Sequence, residues 1–124
     1  EDGGTFLRII SAGDGDAPKP HAKLDLPENA IQVRLQYKLR SANMKVLPEP
    51  AWAGGFMGGS FFDAQGQALK PFVPSRRMKE NNADWIECED TFEVPGGAVQ
   101  VMLQPGLYFS TGTLDVDDVQ VFIE

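Results

Sequence analysis

The chain has 124 residues, a formal net charge of −7 and 42% hydrophobic residues, which suits one domain with a real core and leaves no room for two. One cysteine, Cys88, and one histidine, His21, exclude an internal disulfide, a cysteine-based metal site and a histidine-clustered zinc site. All 11 Lys and Arg lie at or before Lys79, and the stretch from Glu80 onward holds 10 acids and no base, so the dense basic face that nucleic acid demands is not expected.

In chain order, Thr5 to Ile10 is a short β-prone run, closed by the Gly/Asp cluster from Ser11 to Asp16 and by Pro18 and Pro20, which carry turn chemistry. Leu24-Asp25-Leu26 forms a brief strand before a turn at Pro27-Glu28-Asn29. The clearest strand runs from Ala30 to Arg40. Ile31, Val33, Leu35, Tyr37 and Leu39 point one way, and Gln32, Arg34, Gln36, Lys38 and Arg40 point the other. Strict alternation of this length puts one face on a core and the other toward water or ligand.

Pro48 and Pro50 bracket a loop leading to Trp52. Gly55 to Asp63 is a strand with Met57, Gly59 and Phe61 on one face and Phe56, Gly58, Ser60 and Phe62 on the other. Glycine inside a strand often marks a place where something approaches the backbone, and Gly58 and Ser60 would leave room for a chain lying across the sheet. Asp63 to Gly66 reads as a turn, Ala68-Leu69 resumes the sheet, and Pro71 to Asp84 reads as a long basic loop without periodicity. A loop of that length in a compact domain is commonly functional or disordered.

Trp85 to Glu89 opens a further strand that Phe92 and Val94 continue, with Trp85 assigned to the core. Pro95-Gly96-Gly97 is a turn, Ala98 to Leu103 alternates again, and Pro105-Gly106 reads as another turn before Leu107-Tyr108-Phe109. Gly112 to Glu124 is the closing strand, and its alternation slips by one at Asp117-Asp118, the signature of a bulge. Short strands and turns at regular spacing, with no capped helical period, give an all-β fold class: an antiparallel β-sandwich.

Catalytic sets are absent. No nucleophile-elbow pattern surrounds any Ser or Thr. The Glu89-Asp90 and Asp117-Asp118 doublets point to opposite faces of a strand and so do not converge on a scissile bond. No run is long and apolar enough for a signal peptide or membrane span, so no membrane partner is expected. The abrupt start at Glu1-Asp2-Gly3-Gly4 suggests a module, residues 1–124, excised from a larger multidomain protein.

Several stretches converge on one family. They are Trp85 opening a strand, Phe92, Val94 and Pro95 in a turn, a Val-x-Val strand, and then Gly-Thr-Leu-Asp-Val-Asp-Asp-Val. Upstream, Tyr37 to Arg40, Trp52 and Phe61 to Gly66 fit the middle of the same pattern. The chain resembles galactose-binding-like jelly rolls, especially the family four and family nine carbohydrate-binding modules. The resemblance implies a non-catalytic module that holds a polysaccharide or oligosaccharide for a covalently linked glycoside hydrolase, in a secreted or extracellular setting. It also implies a structural calcium near the closing strand, with Asp117 or Asp118 as a ligand, although the family's usual Asn-Gly-x-Phe-Glu opening is not visible. The ligand-binding candidates are Arg34, Gln36, Lys38 and Arg40 as polar groups, and Trp52, Phe62, Tyr108 and Phe109 as an apolar platform. The basic strand and Arg76-Arg77 lean toward an acidic glycan. The alternative is a structural spacer or protein-docking β-sandwich of a secreted multidomain protein, because one fold serves many functions.

Overall fold

A computed structural model describes residues 7–11, 21–48, 53–72, 74 and 76–124. Eight strands follow one another: β1 (Leu7–Ser11), β2 (Ala22–Asp25), β3 (Gln32–Val46), β4 (Gly54–Asp63), β5 (Ala68–Pro71), β6 (Asn82–Glu93), β7 (Ala98–Tyr108) and β8 (Ser110–Ile123). They form two four-stranded antiparallel sheets, β1-β8-β3-β6 and β2-β7-β4-β5, packed as a jelly-roll sandwich. Among the described residues there is no helix, and hence none long and apolar enough to cross a membrane.

The alternation of β3 is the main source of the core. Val33, Leu35, Tyr37 and Leu39 are each at most 2% exposed, and they meet Met57 and Phe61 of β4 and Val101, Leu103 and Leu107 of β7. Removing this much apolar surface from water is the dominant favourable term in folding. One polar pair joins it: the Tyr37 hydroxyl donates to the buried Asp90 carboxylate of β6.

The bulge expected in the closing strand is present. Gln36 pairs with Gln120 and Lys38 with Asp117, so β8 spends one residue more than β3 there, and Asp118 adopts φ 52°.

Four expectations are corrected. Ile31 is 73% exposed because it precedes β3, at the end of the sandwich where no opposing sheet covers it. Trp85 is half-buried on the outer face of β6, beneath Arg40, whereas Ile86, Cys88 and Phe92 point inward. Pro105-Gly106 is not a turn but lies within β7, opposite Phe56 and Met57. Among the described residues β2 pairs with β7 only over Gln100–Leu103, so no described strand asks for the N–H that Pro105 lacks. The chain instead reverses at Phe109, with φ 50°.

The fourth correction concerns the bounds of the loop read from Pro71 to Asp84: Pro71 ends β5 and β6 already starts at Asn82, and the described residues between them run along the edge of β4. The Phe72 amide donates to the Gly59 carbonyl at 2.8 Å, and Gly55 and Met78 exchange both backbone bonds at 2.9 and 2.7 Å. Phe72 then dips between the sheets to stack on Phe92, with ring centroids 4.4 Å apart. The described part of this segment therefore forms a wall beside the outer face of the second sheet.

Candidate functional site

The two sheets present two outer faces of opposite character. On the first sheet, Arg34, Gln36, Lys38 and Arg40 share the outward row of β3 as expected, each half-buried. Every one of them has a neighbour. Arg34 lies 4.2 Å above the Phe122 ring and 3.4 Å from Glu124. Gln36 donates to Glu89 at 2.9 Å, and Lys38 is 3.1 Å from Asp118. Arg40 contacts Asp115 at 2.7 Å and stacks over Trp85 at 4.3 Å.

Asp115 is the hinge of this network. It accepts from Arg40 and also from Arg8 of β1, at 2.8 Å through the Arg8 Nε. Burial pushes its carboxyl pKa up, but the hydrogen bonds from Arg8 and Arg40 outweigh that and hold it below the ordinary value. The side chains of this face thus tie β1, β8, β3 and β6 together. A polar hollow of about 410 Å³ sits among Gln36, Lys38, Glu89, Asp118 and Gln120, and the one aromatic among its described lining residues, Tyr37, is 2% exposed.

The outer face of the second sheet is built differently. Tyr108 at the end of β7 folds back along its own strand, and its hydroxyl donates to the Gln104 carbonyl at 2.6 Å. Its ring stacks on Phe56, centroids 4.4 Å apart and 16° from parallel. Two glycines make this possible: a Cβ on Gly58 would stand 2.5 Å from the Tyr108 hydroxyl, and a Cβ on Gly106 would stand 3.4 Å from its ring. Burial pushes the Tyr108 phenol up to about 12, so it remains a neutral donor across physiological pH. Beside the pair, Ser60, Gln104 and Arg77 supply polar groups, and Pro71, Phe72 and Pro74 form the wall of a groove of about 470 Å³.

This groove offers a flat apolar surface with a few polar groups around it, the composition that small-molecule and sugar sites share. None of the described residues lining it is an acid, a histidine or a cysteine, so it can stack and hydrogen-bond but has no acid/base pair.

The expected site residues divide between the faces. Tyr108 lines the groove. Phe62 shares its sheet face, half-buried with Lys23 5.5 Å from its ring centroid, four strand positions beyond Gly58 and therefore roughly 13 Å along β4. Phe109 is 52% exposed at the chain reversal. Arg34, Gln36, Lys38 and Arg40 belong to the other sheet and do not meet the Tyr108 platform. Trp52 lies outside the described residues. Gly58 and Ser60 were legible as room for a ligand, whereas Phe56, Gln104 and the wall of Pro71, Phe72 and Pro74 were not.

Calcium takes six to eight oxygen ligands. Asp117 and Asp118 sit at the bulge as expected, but Asp118 is turned to Lys38, and among the described residues no cluster of three or more acids, His or Cys exists. These donors do not fit a calcium cage by themselves.

No protein-family model matches this sequence, and no curated protein does. Solved structures do match. The enzymatically active domain of Bacteriophage CBA120 tailspike protein 4 superposes with a TM-score of 0.59 at 12% identity, covering 97% of this chain and 18% of that one. A family 16 carbohydrate-binding module-2 gives 0.54 at 14%, covering 97% and 78%. The CBM22-1–GH10 modules of Clostridium thermocellum endo-1,4-β-D-xylanase 10B, complexed with xylohexaose, give 0.55 at 12%, covering 96% and 24%. The chain thus spans about a fifth of the tailspike chain's length and about a quarter of the xylanase chain's. What these likenesses show is the fold: an all-β jelly-roll sandwich of the kind found in carbohydrate-binding modules.

Proposed function

We propose that this chain is a carbohydrate-binding domain and that it holds a polysaccharide in the groove of the β2-β7-β4-β5 face. The observation that carries the reading is the Tyr108–Phe56 pair, laid over Gly58 and Gly106 and rimmed by Ser60, Gln104 and Arg77. A pyranose ring has an apolar C–H face and equatorial hydroxyls. The first stacks on the aromatic surface, and the second exchange hydrogen bonds with the polar rim. Phe62, farther along β4, suits the next part of a linear chain.

The function follows from tethering. Attached to a hydrolase, such a domain raises the effective concentration of enzyme at a polymeric substrate without new chemistry. A secreted, enzyme-linked setting belongs to the same proposal. Its support is the likeness to modules that occur beside a glycoside hydrolase domain.

The test is affinity electrophoresis of the chain through gels containing single polysaccharides, with xylan, mannan, β-glucan and polygalacturonate as probes. Retardation by at least one is expected, and Tyr108→Ala should abolish it while the melting curve stays cooperative. Free migration in every gel would sink the reading and favour a spacer or docking domain.

A further inference from the structure

Among the described residues lining the groove one side chain is charged, Arg77, and the charges around it are distributed unevenly. On the first sheet, Arg8, Arg34, Lys38 and Arg40 each lie against a carboxylate at 2.7 to 3.4 Å. No carboxylate of the described residues lies within ion-pair distance of Arg77, in a chain whose net charge is −7. Arg77 is half-buried and set among Phe56, Pro71, Phe72, Pro74 and Tyr108. A cation on an apolar wall is stabilised when a ligand supplies the opposite charge.

The backbone that carries it is held in place. Met78, the next residue, is 3% exposed and exchanges two backbone hydrogen bonds with Gly55. The close approach needs glycine at position 54, which has φ +147° and where a Cβ would stand 3.0 Å from the Met78 carbonyl and 3.6 Å from the Arg77 Cβ. Arg77 also lines a second hollow of about 240 Å³, shared among the described residues with Arg76, Lys79, Asn81 and Asn82 and with one acid, Glu80. The apolar groove therefore opens at one rim onto a net positive surface.

We infer that the saccharide bound here is anionic, and that Arg77 reads a carboxylate or sulfate group on the sugar stacked against Tyr108. The inference rests on the groove reading above and adds the substrate class to it. A guanidinium presents two parallel N–H donors that match a carboxylate or sulfate edge, which a lysine ammonium cannot do in the same geometry. The charge sets which polymer is retained, and the aromatic pair sets where it lies.

The experiment uses matched polymers that differ in charge alone. Polygalacturonate is compared with its carboxyl-reduced neutral form, and dextran sulfate with dextran, by affinity electrophoresis and isothermal titration at low and at 0.5 M salt, roughly from a ten-ångström to a few-ångström screening length. Binding at least tenfold tighter to one charged polymer than to its neutral partner is expected, and which pair shows it identifies carboxylate or sulfate as the group read. Arg77→Gln should lose that preference and Arg77→Lys should keep only part of it. Tyr108→Ala should weaken binding of the same polymer.

Equal, Tyr108-dependent binding of charged and neutral partners would overturn the anionic inference and leave the groove reading standing. Retention by anionic polymers that ignores Tyr108→Ala and vanishes at 0.5 M salt would also overturn it, as diffuse adsorption. No retention by any polymer, charged or neutral, sinks the groove reading itself. A melting curve for each variant separates lost contacts from lost fold, and Arg76→Gln provides a second, more exposed charge removal whose effect should be smaller.

Discussion

The Tyr108 hydroxyl occupies the space that a side chain at Gly58 would need, 2.5 Å from where its Cβ would stand. Gly58→Ala must therefore push the phenol off the Gln104 carbonyl and tilt the ring away from Phe56. An overpacked site of this kind costs about 1–3 kcal/mol, and the binding surface is lost with it. The expected outcome is a folded protein with a lowered melting temperature and polysaccharide affinity reduced at least tenfold, read by thermal melts and titration calorimetry.

Alkaline pH should destabilise the domain through the same residue. Burial raises the Tyr108 phenol from 10.0 to about 12 and the Cys88 thiol from 9.0 to about 11, and burial with the Asp90 hydrogen bond raises Tyr37 further. Each group is easier to ionise in the unfolded chain. Its contribution is fully present below the unfolded value and disappears as pH climbs through the folded one. Urea midpoints should fall progressively from pH 9 to 12, and Tyr108→Phe should remove part of the fall above pH 10.

At acid pH the dependence has the opposite sign. The Asp115 carboxyl is held below its ordinary value of 3.8, burial being outweighed by the hydrogen bonds from Arg8 and Arg40. Its stabilisation is complete above that value and drains away as pH falls further. Asp115→Asn leaves two guanidiniums without their shared anion and should cost about 1.5–3 kcal/mol at neutral pH. It should also flatten the acid limb of the stability profile, measured by urea melts between pH 2 and 6.

Much of the fold was legible because β3, β4 and β8 declare themselves through alternation, and the phase slip at Asp117-Asp118 gave the bulge directly. Trp85 misled because a tryptophan suggests a core, whereas the period of β6 places Ile86, Cys88 and Phe92 inside. Pro105-Gly106 misled because its dipeptide signals a turn, whereas the pairing of Met57 with Pro105 and Phe56 with Gly106 keeps it inside β7. The site was half visible. Tyr108, Gly58 and Ser60 stood out on chemical grounds, but the groove also needs Phe56, Phe72, Pro74 and Arg77, the last three held beside it by the long-range backbone bonds of Phe72 to Gly59 and of Met78 to Gly55, which no local pattern encodes.

Calcium is checked by melting with and without a chelator. A bound ion stabilises the folded state by mass action, but Asp118 is already matched by Lys38 and, among the described residues, no group of three or more acids, His or Cys gathers at the bulge. The melting temperature is expected to be the same in EDTA as in calcium. A clear drop in EDTA would place an ion there after all, with ligands beyond the described residues.

The most direct test is to map ligand contacts by the backbone amide shifts of the isotope-labelled chain, titrated with an oligosaccharide of whichever polysaccharide retards it. The amides of Gly58, Ser60, Gln104, Tyr108 and Arg77 should move in a saturable manner while those of Arg34 to Arg40 stay in place. Shifts confined to the Arg34–Arg40 and Glu87–Glu89 face, or no saturable shift with any oligosaccharide, would contradict the account.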